Sequence, residues 1–180
     1  GLIYQGQSGS PYSLVYSGDI NGDNGTSNDL IFIPTDAQVD QMKFLGTDAY
    51  TAEQQRANLK QWLATTRYVK DHRGEYFERY GDNLPFESHF DFHFGQKFGI
   101  RTGKYVHALE LTLDIMNVAN LLNKDWGRTF SSGYNSEFVS PITYKGDGVF
   151  QFANPSDMPL KYPSSYYSRW RGQVGLKYTF

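Results

Sequence analysis

Asp19, Asn21, Asp23 and Asp29 stand within SGDINGDNGTSNDL, residues 17–30, and offer side-chain oxygens at near-alternate positions. Hard cations collect oxygens from alternate residues and from backbone, so the first three match positions one, three and five of a calcium loop. The match then breaks. Asn24 stands where such a loop requires glycine, Gly25 comes one place late, and the twelfth position is Leu30 rather than a bidentate glutamate. Asp29 offers a carboxylate one place early. The competing reading is a Gly/Asn/Asp turn whose side chains cap their own backbone. Ca2+ is the one cofactor these residues suggest.

Three other groups could do chemistry. His89, Asp91 and His93 alternate along FESHFDFHF, but same-face neighbours on a strand sit nearly 7 Å apart, wide for three ligands on one ion. The HRGEYFERY stretch crowds Arg73, Glu75, Glu78 and Arg79, a composition that suits a solvated ion-pair face as well as a substrate clamp. In KYPSSYYSRW, Tyr162, Tyr166, Tyr167 and Trp170 suit an aromatic girdle at a membrane interface, and also stacking on sugars. A nucleophile-elbow GxSxG, a phosphate-binding Gly-rich loop and cysteine are all missing from the sequence, which disfavours an enzyme.

These residues need elements to hold them, and strands dominate. The chain has 14 Tyr and 13 Phe yet a mean hydropathy of −0.58, so apolar and polar residues are finely interleaved. A net charge of −2 gives no basic footprint for nucleic acid. No run reaches the roughly 18 apolar residues of a membrane helix.

Residues 86–100 place Phe86, Phe90, Phe92 and Phe94 against Glu87, His89, Asp91 and His93; residues 107–118 oppose Leu109, Leu111, Leu113 and Ile115 to Glu110, Thr112 and Asp114. Residues 169–180 set Trp170, Val174, Leu176, Tyr178 and Phe180 against Arg171, Gln173, Lys177 and Thr179. Each has the roughly 9–11 residues of a membrane strand, with aromatics gathered at the ends. Residues 51–69 predict a helix, with Thr51 and Gln54 as a capping box and Leu59, Trp62 and Leu63 as its apolar stripe.

Three stretches resemble the C-terminal end of TonB-dependent outer-membrane receptors, in particular the Oar-like and SusC-like receptors of Bacteroidetes. They are SGSPYSLVYSGDINGDNGTSNDLIFIP, then HRGEYFERYGDNLPFESHFDFHFGQKF with LELTLDIMNVANLLNKDWG, and VGLKYTF. The last is similar to the insertion signal read by the barrel-assembly machinery, carried by Val174, Leu176, Tyr178 and Phe180. The resemblance implies a transmembrane β-barrel of about 22 antiparallel strands around a plug, of which this chain supplies the last three to four. It further implies nutrient import (oligosaccharide, peptide or metal chelate) across the bacterial outer membrane. Partners would be the rest of the barrel and plug, TonB acting through the plug, and in some cases a surface lipoprotein.

On this reading residues 1–6 end an outward strand, and 7–85 form a long outer loop with a hairpin (YSLVYS with DLIFIP) and the helix. Residues 86–100 run inward, RTGKYV turns in the periplasm, 107–118 run outward, 119–168 form a second outer loop, and 169–180 run inward. Short inner turns and long outer loops are the barrel pattern. Two rivals stay open: a soluble calcium-dependent carbohydrate-binding module, and a small stand-alone barrel of adhesive or structural role.

Overall fold

Interleaving of apolar and polar residues becomes a mainly β structure, with 43% of the described residues in strands and 18% in helices. The computed structural model describes residues 1–132, 138–152, 162–164 and 166–180, and of residues 162 and 163 the backbone alone. In chain order the elements are β1 (Leu2–Gln7), β2 (Pro11–Ser17), α1 (Asp36–Gln41), β3 (Lys43–Phe44), α2 (Ala52–Thr65), α3 (Arg67–Asp71), β4 (Asp82–Asn83), β5 (Glu87–Thr102), β6 (Tyr105–Met116), α4 (Val118–Leu122), β7 (Phe130–Ser131), β8 (Phe138–Tyr144), β9 (Val149–Phe152), β10 (Tyr162–Pro163) and β11 (Arg171–Thr179). They divide into two units: Gly1–Gly9 with Pro85–Phe130 and Pro163–Phe180, and Ser10–Leu84 with Ser131–Tyr162.

The first unit is an antiparallel sheet in the order β1-β5-β6-β11. Its register follows the alternation. Phe92, Phe94 and Phe98 lie opposite Ile115, Leu113 and Leu109, and Val174, Leu176 and Tyr178 lie opposite Leu113, Leu111 and Leu109. Leu2 and Tyr4 extend the same face through Phe92 and Phe90. The opposite face carries Asp91, His93, Lys97, Glu110, Asp114, Gln173 and Lys177.

Among the described residues no strand closes this sheet, so β1 and β11 are its open edges. The link between β5 and β6 is shorter than the sequence suggests. Thr102 pairs with Tyr105 across a two-residue turn in which Gly103 has φ +64°, the position where a type II′ hairpin needs glycine. Both strands therefore run into the segment read as a turn.

The second unit brings together the segments expected as two separate outer loops. Its five-stranded sheet has the order β3-β9-β8-β2-β4. In it β2 pairs parallel with β8 and β3 parallel with β9, whereas β8–β9 and β2–β4 are antiparallel. This mixed sheet departs from the wholly antiparallel pattern expected. The reason is burial: β2 is buried almost throughout, and parallel strands suit positions covered on both faces. The anticipated hairpin partner, DLIFIP at residues 29–34, meets β2 through the isolated Val15–Leu30 bridge, with the Tyr16 N–H donating to the Asp29 carbonyl at 2.8 Å and the Ile31 N–H to the Leu14 carbonyl at 3.0 Å, and does not form a strand of the sheet.

Leu14, Ile31, Ile33, Leu59, Leu63, Phe77, Ile142 and Phe152 form a sealed core. The capping box of Thr51 and Gln54 starts α2 as expected, and its apolar stripe is buried. The helix stops sooner than residue 69. Thr65 turns its hydroxyl back to the Gln61 carbonyl at 2.9 Å, Thr66 is extended, and α3 begins anew.

Gln55, 1% exposed, is the polar tie in this core. Its amide donates to the Leu45 carbonyl at 2.7 Å, and its oxygen accepts from the Phe152 N–H at 2.9 Å. Replacing Gln55 by Leu leaves the Phe152 N–H buried and unpaired, at a cost of about 1–3 kcal/mol, and removes the 2.7 Å donor from the Leu45 carbonyl, worth about 1 kcal/mol more. Chemical denaturation should register a loss of about 2–4 kcal/mol in this unit; a change below 0.5 kcal/mol, the usual range of an inert surface substitution, would contradict the role assigned to this side chain.

Candidate functional site

At the end of the first unit's sheet far from the Gly103 turn, the polar face opens into a cleft of about 400 Å³. Gln5 and Gln7 come from β1, Glu87, His89 and Asp91 from β5, and Met116 and Asn117 from the end of β6. Thr129, Tyr167, Arg169 and Arg171 line the remaining side. The register aligns Ile3, Asp91, Met116 and Arg171 as one row across the four strands.

The carboxylates are held in place. Glu87 is 6% exposed, receives the Gln7 amide at 3.2 Å and the Phe130 N–H at 3.3 Å, and lies 3.9 Å from His89 Nε2. His89 Nε2 is 3.2 Å from the Thr129 hydroxyl. Asp91 Oδ1 accepts the Asn117 N–H at 2.8 Å.

Asn117 organises the rim. It is buried in the left-handed region at φ 54°, where asparagine is among the few tolerated residues. Its side-chain amide donates to the Gly127 carbonyl at 2.8 Å and the Ser168 carbonyl at 3.2 Å. Gly127, at φ +60°, has no room for a side chain, because an added Cβ would fall 1.9 Å from Asn117 Oδ1. One residue thus ties the end of β6 to both chain segments that overhang the cleft.

The histidine–aspartate alternation does not converge. His93 bonds Asp114 at 2.6 Å, while His89 and Asp91 have the separate partners just given. Among the described residues, no three His, Asp or Glu side chains could jointly hold a metal ion. Arg73 is a local staple, bonded to the Pro34 carbonyl at 2.7 Å and to Asp36 at 2.5 Å.

Tyr166, Tyr167 and Trp170 are exposed, and Arg171 lies 4.9 Å over the Tyr166 ring. The side chain of Tyr162 lies outside the described residues. Val174, Leu176, Tyr178 and Phe180 are exposed at 71%, 70%, 57% and 86%, the first three on the apolar face of the sheet. Sequence alternation placed Glu87, His89 and Asp91 on one face but missed Asn117, Thr129 and Arg169. The signal available for Asn117 was an Asn ending an alternating run just before a helical turn.

In the second unit, Asp19, Asn21, Asp23 and Asp29 do meet in one loop. Asp19 accepts the N–H groups of Gly22 at 2.6 Å and Asn24 at 2.9 Å. Asp23 accepts the Gly25 N–H at 2.7 Å and the Asn28 amide at 2.8 Å. Asp29 accepts from Asn21 at 2.5 Å and the Ile20 N–H at 3.1 Å. A cation entering this loop would share oxygens that these donors already hold.

Two expectations follow. Asn117→Ala puts alanine, which tolerates the left-handed region less well than asparagine, at φ 54° and frees the Gly127 and Ser168 carbonyls, and should cost about 2–4 kcal/mol in chemical denaturation. Asn117→Gly should recover the backbone part alone. The Gly25 N–H, then the Asn21 and Asn28 amides, hold the Asp23 carboxyl below the usual 3.8. Its contribution is therefore present above that value and disappears as pH falls through the lower folded value. Asp23→Asn should lower the melting temperature slightly at pH 7, with the difference vanishing once the wild-type carboxyl is protonated; a difference that persists in acid would contradict this. Compared with known proteins, the chain matches no family model, no curated protein and no solved structure.

Proposed function

We propose that the first unit is a wall segment of an outer-membrane β-barrel belonging to a TonB-dependent importer. The observation that carries this reading is the two-faced sheet. One side holds exposed Phe, Leu, Ile and Val, and the other holds full charges. From Phe90 to Ile100 the apolar side of β5 covers about 34 Å along the strand, which at a tilt of about 40° makes a band about 26 Å high. Outer-membrane barrels carry an apolar band of about 25 Å.

Near the β5–β6 turn, Tyr105 and the His107–Tyr178 pair, bonded at 2.7 Å, supply amphipathic rings. Tyr166, Tyr167 and Trp170 do so toward the other end. Gln96 interrupts the band opposite Leu111, a tolerable cost for one uncharged side chain. A soluble carbohydrate-binding module would leave the apolar face without a role, which is why that rival is weaker. Import and TonB coupling rest on the resemblance of NVANLLNKDWG and VGLKYTF to the receptor family. Val174, Leu176, Tyr178 and Phe180 retain their reading as an assembly signal, and calcium in the Asp19 loop is a separate question of loop stability.

The test is face-specific charge. In protein folded into lipid vesicles, Leu111→Arg should cost about 2–4 kcal/mol at mid-membrane depth. Gln173→Arg, on the opposite face and paired with Asp114, should cost less than 1 kcal/mol. Equal costs for the two substitutions would remove lipid as the solvent of the apolar face.

A further inference from the structure

Two carboxylates, Glu87 and Asp91, and two guanidinium groups, Arg169 and Arg171, line the cleft, yet among the described residues no ion pair forms across it. The charges are balanced in number and held apart. Glu87 is satisfied by Gln7 and the Phe130 N–H. Asp91 uses only Oδ1, on the Asn117 N–H, which leaves Oδ2 with no partner among the described residues. Arg171 is fixed by a 3.1 Å bond to the Tyr166 hydroxyl and by its place over that ring. Arg169 has no partner among the described residues. Asp91 and Arg171 stand in one row with Met116 between them, so their backbones are two strand spacings, about 9.5 Å, apart.

We infer that this cleft binds a small zwitterion, an amino acid or a dipeptide, with its ammonium group at Asp91 and its carboxylate at Arg169 and Arg171. A lone cation entering here meets the two guanidinium groups, and a lone anion meets the two carboxylates. Only a ligand carrying both charges, separated along its length, gains at both ends, which makes the discrimination one of like-charge repulsion as well as attraction. Met116 gives the middle of the site an apolar floor, and a volume of about 400 Å³ suits a ligand of this size. The inference deepens the importer reading by naming a class of cargo, and it rests on that reading for the word cargo; binding itself requires only the cleft.

The test is calorimetric titration of the detergent-purified protein with L-alanyl-L-alanine, N-acetyl-L-alanyl-L-alanine and L-alanyl-L-alanine amide. The free dipeptide should bind, and each blocked form should bind about ten-fold or more weakly, as expected for loss of one charge-assisted contact. Asp91→Asn keeps the acceptor for Asn117, and should weaken the free dipeptide while leaving the N-acetyl form unchanged. Arg169→Gln, an exposed position, should weaken the free dipeptide while leaving the amide unchanged.

Equal affinity for free and blocked forms, or no binding of the free dipeptide at millimolar concentration, would overturn the inference. Retention of wild-type affinity in both variants would do the same. Protease protection of the same protein in vesicles reads the membrane assignment separately, so failure of one is distinguishable from failure of the other.

Discussion

A sheet with Phe, Leu, Ile and Val on one side and Asp, Glu, His and Lys on the other cannot have water on both sides without penalty. That constraint governs the first unit. Each strand must keep its register, because a slip of one residue would turn every charge toward the apolar side. The two-residue turn at Gly103 pins the register of β5 against β6, and nine paired positions pin β6 against β11. Glycine follows from the same demand: an added Cβ on Gly175 would fall 2.4 Å from the Thr112 hydroxyl on the polar face, so close packing there needs the missing side chain.

The second unit meets the opposite condition. Its apolar residues come from segments that are remote in sequence, and they cover one another. Parallel pairing of β2 with β8 joins residues more than a hundred positions apart, and Gln55 then links α2 to the turn before it and to β9. Such a unit gains nothing from an apolar solvent. Two different solutions to burial thus share one chain: one sheet with its own core, and one that leaves an apolar face to its surroundings.

What could be read from the sequence follows from how far each interaction reaches. Alternation is local, so the faces of β5, β6 and β11 were legible, as were the capping box at Thr51 and the short turn around Gly103. Pairing partners are not local. Nothing in YSLVYS names Phe138–Tyr144 as its neighbour, and the mixed sheet was therefore invisible. Asn117 was hidden for another reason: its role depends on a left-handed backbone and on carbonyls of Gly127 and Ser168, which only the folded chain brings near. The Asp19 loop was legible as a cluster of oxygens, but which donors those oxygens accept depends on the turn that the backbone takes. Side-chain spacing alone does not distinguish an ion from an amide.

The edges of the first sheet carry the argument one step further. In hydrocarbon a backbone N–H or carbonyl without a partner costs several kcal/mol, so a sheet that places its apolar face in lipid cannot also leave β1 and β11 unpaired. In water those edges would be tolerated, but the apolar face would not. If lipid covers the apolar face, as proposed, the same four strands call for further strands at both edges. Under the proposed lipid-facing reading, a closed barrel would supply these, since continuing the sheet until it meets itself removes the edges and turns every apolar side outward.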